Sequence, residues 1–282
     1  MRVGIIILPE RRWSAAKEQW KRAEDYGFDH AWTYDHIGWR SLVAEPWFDA
    51  VPTLAAAALH TSRIRLGTMV ASPNFRHPVH FAREITALDD LSQGRFSLGI
   101  GSGGVGYDAS VLGQRELTAR SRHERFAEFV ELLDTLFTEQ PLTWRGEHYQ
   151  AVEAYTTPGC VQRPHVPFIV AARGPRAAKL AARFGQGWVT NGGPVDTDEE
   201  WWRGVAGSVR HFNETGSTID RYVTFDPAPT FSLSSVDYFE ECLGRATELG
   251  FTDVITHWPR PDGPFAGSEA VLEEVASRLA TY

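Results

Sequence analysis

Three short stretches of this chain hold residues whose types and spacing can do chemistry. In Tyr34-Asp35-His36 an imidazole follows a carboxylate. Histidine titrates near working pH, which suits it to pass a proton to or from a bound ring or substrate. Taken without its place in the fold, the same pair reads first as a solvated loop histidine; a place at a strand end sets the two readings level. The run Gly99-Ile100-Gly101-Ser102-Gly103-Gly104-Val105-Gly106 carries five glycines, and a large planar cofactor needs such bare backbone for close approach. Gly101 to Gly106 also satisfies G-x-G-x-x-G, but a dinucleotide site wants that motif on the first strand, with an acid about twenty positions on. Here it follows the fourth strand, so that reading fails. The third stretch is Ala172-Arg173-Gly174-Pro175-Arg176. Proline at the first helical position, with glycine before it, leaves free N–H groups at the positive end of a helix dipole, and two arginines stand beside them. By itself this is a helix start with solvated charges. Beside the glycine turn, it points to a ring cofactor that bears a phosphate.

The elements that must position these residues follow from periodicity. Apolar runs of strand length, at 3–8, 29–33, 65–70, 95–99, 167–171, 187–190, 222–225 and 253–257, alternate with segments of helical period at 15–26, 47–60, 79–91, 121–138, 176–184, 198–215, 236–249 and 269–281. Three helices end in Tyr26-Gly27, Phe184-Gly185 or Leu249-Gly250 just before a strand, where glycine is expected to form a left-handed cap. Eight such units predict an α/β fold of one domain over 1–282, a single (β/α)8 TIM barrel, since open doubly wound sheets carry fewer strands. Between the fourth helix and the fifth strand, PLTWRGEHYQAVEAYTTPGCVQRPHVP predicts a small inserted hairpin and an extended run. In such a barrel the site lies at the carboxyl ends of the strands. All three stretches follow strands.

The totals exclude some classes of partner. With 28 basic and 36 acidic residues the net charge is −8, and no basic run tracks a phosphate backbone. Nucleic acid is therefore not the expected partner. Cys160 and Cys242 stand alone, without the spacing of a metal knuckle or disulfide framework, so no metal is assigned. The apolar run at the start ends at Pro9, too short to span a membrane. A cytoplasmic protein is the default.

Trp39, Trp47, Phe75, Tyr107, Trp188 and Trp258 lie at or near strand ends and are candidate pocket walls for a flat, apolar small-molecule substrate. Singly, each reads as core or subunit packing. A rival reading is a metal-dependent hydrolase using Asp35, His36, His77, His80 and His257. Such barrels place an H-x-H pair on a strand, whereas His77 and His80 stand at a helix start.

At GFDHAWTYDH, TSRIRLGTMV, FRHPVHFAREITALDDLSQGRFSLGIGSG, PHVPFIVAARGP and FGQGWVTNG the chain resembles, in the same order, the bacterial luciferase-like superfamily of flavin and deazaflavin oxidoreductases. The resemblance covers roughly residues 1–195. It implies a (β/α)8 barrel in which His36 faces the cofactor ring and handles protons while Asp35 fixes its orientation. It also implies a non-prolyl cis peptide at Met69-Val70 behind the ring. Ser72, Gly101, Ser102 and Gly103 then line the cofactor, and Arg173, Gly174 and Pro175 form its phosphate turn. Deazaflavin-dependent sugar dehydrogenases of this kind carry a glutamate just after the Gly-Ser/Thr-Gly turn, where this chain has Gly104. That departure puts a sugar-phosphate oxidation through such an acid in doubt. Tyr107, three residues on, is a candidate to reach the ring through its hydroxyl.

Two chemistries share the family barrel: hydride transfer with coenzyme F420 and oxygen activation by reduced FMN. The Asp35-His36 pair resembles the F420 branch, and the short segment 226–234 after strand seven lacks the long lid of large FMN monooxygenases. The expected activity is hydride transfer between F420 and a C=C, C=N or C=O bond, or the reverse oxidation, with FMN-dependent monooxygenation as the alternative. A non-catalytic flavin-binding protein is a further alternative. Family habit and the tryptophan-rich loops imply a homodimer.

Overall fold

The computed structural model describes residues 1–282 apart from Val105, which lies inside the glycine run. In chain order the elements are β1 (Arg2–Ile6), α1 (Trp13–Asp25), β2 (His30–Thr33), α2 (Ala50–His60), β3 (Arg65–Thr68), α3 (Pro78–Leu91), β4 (Phe96–Ile100), α4 (Tyr107–Ser110), α5 (Ala119–Thr138), β5 (Leu142–Arg145), β6 (Gln150–Ala154), β7 (Phe168–Ala171), α6 (Pro175–Phe184), β8 (Gly187–Thr190), α7 (Asp198–Asn213), β9 (Asp220–Thr224), α8 (Val236–Glu248), β10 (Asp253–His257) and α9 (Glu269–Ala276). Eight strands close into a parallel barrel in the order β1-β10-β9-β8-β7-β4-β3-β2. This is the (β/α)8 architecture that the alternating pattern predicts. β5 and β6 pair antiparallel in a separate two-stranded sheet between α5 and β7.

Several boundaries differ from the periodicity for local reasons. α2 begins at Ala50, not at 47, because the Asp49 side chain accepts the N–H of Val51 and caps it there. β3 stops at Thr68, and the Met69–Val70 peptide beyond it is cis. The short α4 has too few residues to show a period. Among the three helix-ending glycines, Gly27 and Gly250 take φ of +89° and +78°. Gly185 does not: it is extended, with φ −82° and ψ 147°. A Cβ there would lie 2.7 Å from the Ala181 carbonyl oxygen, so its glycine serves close packing of backbone on backbone and not a left-handed turn.

Strand alternation divides the apolar residues between two cores. Val254 and Trp188 belong to the layer between sheet and helices, while Ile6, Trp32, Tyr34, Met69, Val189, Tyr222 and Ile255 fill the barrel. Among the described residues, no helix is long and apolar enough to cross a membrane.

At the end of the barrel away from the carboxyl termini of the strands, Glu24 ties α1 to the turn before β3. Its carboxylate accepts the N–H groups of Ser62 (2.8 Å), Arg63 (2.6 Å) and Ile64 (3.1 Å). Burial opposes ionisation, but these donors outweigh it and hold the group down at about 2 against an ordinary 4.5. A carboxylate with a depressed folded-state pKa stabilises the fold above its unfolded value and loses that contribution as pH falls through its folded one. The contribution is about 3 kcal/mol at neutral pH. Glu24→Gln is expected to lower the urea midpoint at pH 7. It should also flatten the loss of stability between about pH 4.5 and 2 that the unmodified chain shows in acid titration.

Candidate active site

The strands' carboxyl ends open into a cleft of two lobes. The larger, about 710 Å³, is lined by residues that include Tyr34, His36, Trp39, Arg40, Met69 and Asp196. The smaller, about 450 Å³, is lined by Ser72, Asn74, Gly101, Ser102, Gly103 and Gly104, among others. His36, Val70, Ala171, Arg173, Val189, Thr190 and Asn191 border both. His36 therefore stands where one lobe passes into the other.

Backbone makes the floor of the smaller lobe. A Cβ on Gly101 would lie 2.8 Å from Val70 Cγ2, and one on Gly103, whose φ is +70°, would lie 2.4 Å from Asn74 Oδ1. Neither position admits a side chain. Gly104 and Gly174 differ: a Cβ on either meets nothing within 4 Å. The missing glutamate at Gly104 is thus a chemical departure, not one imposed by packing. Ala172, Arg173 and Ala177 carry the smaller lobe to the start of α6, where Gly174 is the cap residue and Pro175 holds the first helical position, both outside the lining, and no side chain accepts from the first turn. Arg173 is exposed on the rim, and its Nη1 would lie 2.3 Å from a Cβ built on Gly193, in the loop after β8. Trp188 Nε1 donates to the Ala172 carbonyl at 2.8 Å and anchors this turn from behind.

The carboxylate that holds His36 is not Asp35. His36 Nδ1 lies 2.5 Å from Asp108 Oδ2, while Asp108 Oδ1 accepts the N–H groups of Ile37 (2.9 Å) and Gly38 (3.3 Å). Asp35 turns away and takes Arg76 in a fork, Nε to Oδ2 at 2.6 Å and Nη2 to Oδ1 at 2.7 Å. Arg76 also reaches Glu84 Oε2 at 2.7 Å. Both members of the fork are buried, at 2% and 7% side-chain exposure. Because an ionised carboxylate only accepts, Asp108 places a proton on Nδ1 and leaves Nε2 as the free nitrogen of the neutral ring.

The candidate aromatic walls separate. Trp39 lines the larger lobe, stacked on Phe265 with centroids 5.7 Å apart. Trp47 stands outside the cleft lining and donates through Nε1 to the His36 carbonyl at 2.8 Å. Phe75 lies under the Arg76 guanidinium, 5.1 Å from it. Tyr107, at the start of α4, covers Gly38 and is 41% exposed; it does not border the cleft. Trp188 and Trp258 belong to the outer layer, where Trp188 stacks on Phe212 at 4.4 Å and Trp258 on Tyr26 at 6.3 Å. They sit one residue from the inward positions Val189 and His257, and that single step puts them on the other face. The five residues of the hydrolase reading do not converge. Asp35 holds Arg76, His36 holds Asp108, His257 contacts Tyr34 and Asp226, His77 caps α3 and His80 is exposed. Among the described residues there is no group of three or more His, Cys, Asp or Glu side chains that could hold a metal ion.

Asp108, Asn74, Arg76 and Asn191 were not singled out from sequence. Asp108 had one readable signal, an acid in the first turn of a helix that follows the glycine run. Asn191 directly follows β8, and Asn74 and Arg76 lie in the loop after β3, so their places at strand ends were the readable signal.

A closed parallel barrel with a glycine-floored cleft and a histidine at its mouth defines a class of cofactor-binding barrel oxidoreductases. The chain belongs to the luciferase-like monooxygenase family, whose model matches residues 1–256, and is an oxidoreductase. An F420-dependent glucose-6-phosphate dehydrogenase of Beutenbergia cavernae is 34% identical to it, over 91% of this chain and 90% of that protein. An uncharacterised protein of Mycobacterium tuberculosis is 28% identical over 99% of both. Among solved structures, an F420-dependent secondary alcohol dehydrogenase superposes with a TM-score of 0.78 at 18% identity, covering 97% of each chain. A monooxygenase from Streptomyces bottropensis superposes with a TM-score of 0.67 at 27% identity, covering 88% of this chain and 77% of that one.

The two carboxylates that shape the mouth are expected to differ in what they support. Asp35→Ala removes the fork on buried Arg76 and leaves it hydrogen-bonded to Glu84 alone, and should cost about 2–4 kcal/mol in urea unfolding. Asp108→Ala should cost about 1–3 kcal/mol and raise amide exchange at Ile37 and Gly38, read by hydrogen–deuterium exchange.

Proposed function

We infer that this protein transfers a hydride between coenzyme F420 and a small organic substrate, with His36 moving the accompanying proton. The observation that carries this reading is the position of His36 at the junction of the two lobes, one floored by backbone and the other walled by Trp39, Tyr34 and Met69. The 34% identical relative that spans most of the chain is named for an F420-dependent reaction.

The residues present fit such a group. Gly101 and Gly103 would lie against its ring, with Ser72 and Ser102 at its edge. Arg173, Gly174, Pro175 and the open first turn of α6 would take its phosphate. A bound deazaflavin supplies the electron pair. The chain supplies position and protons: Asp108 orients the His36 ring, Trp47 holds its backbone, and the free Nε2 accepts or returns a proton. With Gly104 in place of the glutamate of the sugar dehydrogenases, the substrate is not sugar phosphate handled through that acid. With Trp39 and Tyr34 in its lining, the larger lobe favours an aromatic or alicyclic substrate, with Arg40 and Asp196 at its polar edge.

FMN with oxygen activation is the second reading, supported by the 27% identical monooxygenase. Fluorescence titration of the protein with F420 and with FMN decides between them: quenching with F420 at micromolar concentrations is expected, and tight FMN binding without an F420 response would reverse the assignment. With the cofactor that binds, His36→Ala is expected to cut turnover about 10²–10⁴-fold, the range of a lost proton-transfer group. Cofactor affinity should change less than about threefold, within the effect of one hydrogen bond.

A further inference from the structure

Beneath the larger lobe stands a chain of three side chains, of which the reading above uses only Tyr34, and that only as a wall. Tyr34 lines that lobe, and its Oη lies 2.7 Å from His257 Nε2. His257 Nδ1 in turn lies 2.8 Å from Asp226 Oδ2. The side chains of His257 and Asp226 have no solvent exposure, and Phe265 lies flat over the imidazole, 3.7 Å centroid to centroid. Asp226 accepts from the N–H of His257 (2.6 Å), the N–H of Ser232 (2.9 Å) and the hydroxyl of Thr256 (3.2 Å). Among the described residues no arginine or lysine pairs with it. A carboxylate buried without a cation is costly, and the one group placed to acquire a compensating positive charge is His257. Asp226 can only accept, so Nδ1 carries the ring proton, Nε2 is the acceptor and Tyr34 donates to it. The order is that of a relay whose last member, Tyr34, lines the substrate lobe.

We propose that Tyr34, His257 and Asp226 form a second proton relay, separate from His36 and Asp108, that serves a hydroxyl or carbonyl oxygen of the substrate in the larger lobe. Tyr34 is the group that touches substrate; His257 and Asp226 position and charge it. In the oxidising direction a substrate alcohol yields hydride, with its electron pair, to the oxidised cofactor of the reading above. Its hydroxyl proton passes to Tyr34 Oη, while the proton already on Oη moves to His257 Nε2, and the imidazolium so formed pairs with Asp226. The carbonyl product leaves, and reduction runs the same transfers backwards. Arg40, on the wall of the same lobe, favours the oxygen while it carries negative charge. His36, whose ring meets that of Tyr34 edge-on with centroids 5.7 Å apart, then serves the ring side of the reaction, and the two proton paths reach the site side by side. The substrate class follows: an alcohol or carbonyl compound, which narrows the C=C, C=N and C=O range to oxygen functions.

This rests on the hydride-transfer reading, so the test is made on the full chain without cofactor, where its failure is separable from that of the cofactor titrations. The probe is 4-nitrophenol, a flat aromatic whose ionisation is visible in its absorbance, added one pH unit below its pKa in water. The bound probe is expected to stand largely as phenolate in the unmodified chain, with roughly tenfold less phenolate relative to phenol, one pKa unit, in Tyr34→Phe and in His257→Gln. On binding, the ¹⁵N resonances of His257 should move to those of a doubly protonated ring in the unmodified chain and stay put in Tyr34→Phe. A bound probe equally ionised with and without the Tyr34 hydroxyl would overturn the proposal, as would failure to bind or an unchanged His257 ring. Should His257→Gln fail to fold, Tyr34→Phe, which removes a single oxygen and keeps the Asp226 pair, and the His257 resonances carry the test.

Discussion

At the mouth of this barrel, two neighbouring strands must come together without side chains between them. β4 brings Gly99 so close to β3 that a Cβ there would lie 2.0 Å from the Thr68 carbonyl oxygen, and two residues later Gly101 stands against Val70. The backbone closes over that gap: Ala71 N–H donates to the Gly99 carbonyl at 2.8 Å and Gly101 N–H to the Ala71 carbonyl at 2.9 Å, and the Thr68 hydroxyl adds a bond to Gly99 at 2.8 Å. The same bareness that lets the strands pair leaves a flat floor at their ends. Barrel closure and the smaller lobe of the cleft are therefore one feature, and a side chain that filled the floor would also push the strands apart.

The rest of the site is hung on that floor by carboxylates, each serving a different loop. Asp35 spends both oxygens on Arg76 and so fixes the loop after β3 to the loop after β2. Asp108 spends one oxygen on His36 and the other on two backbone N–H groups beyond it. Asp226 holds the last strand's histidine from beneath. In each case the acid comes from one strand-end segment and its partner from another, so the groups that face a bound molecule are positioned by contacts that cross the mouth. The family assignment agrees with this arrangement: the luciferase-like model covers the chain through residue 256, and the residues that make the floor and the His36 support all fall within that span.

Much of this was legible in the sequence, and the failures share a cause. Strand and helix order is written in local periodicity, and glycine and proline mark the turns by their backbone geometry. The glycine run, the Arg173-Gly174-Pro175 turn and His36 could thus be placed at the carboxyl ends of strands before any coordinates. Partner choice could not. Asp35 stands next to His36 in the chain yet serves Arg76, forty-one residues away, while the acid on His36 comes from seventy-two residues on. The tryptophans went astray by a finer margin. Trp188 and Trp258 each neighbour an inward-facing residue, and nearness to a strand end does not make a side chain face the cleft; the alternation of strand positions decides it.

What the amino-acid sequence determined alone is the eightfold alternation, the bare backbone after the fourth strand, the phosphate-type helix start after the fifth and the presence of a histidine at the mouth. Each depends only on residues a few positions apart, where steric and hydrogen-bonding rules act locally. The tertiary structure decided which carboxylate holds which base, which aromatic rings face the cleft, and that Tyr34, His257 and Asp226 meet under its larger lobe. Those relations join residues brought together only when the barrel closes, and closure is set by the whole ring of strands.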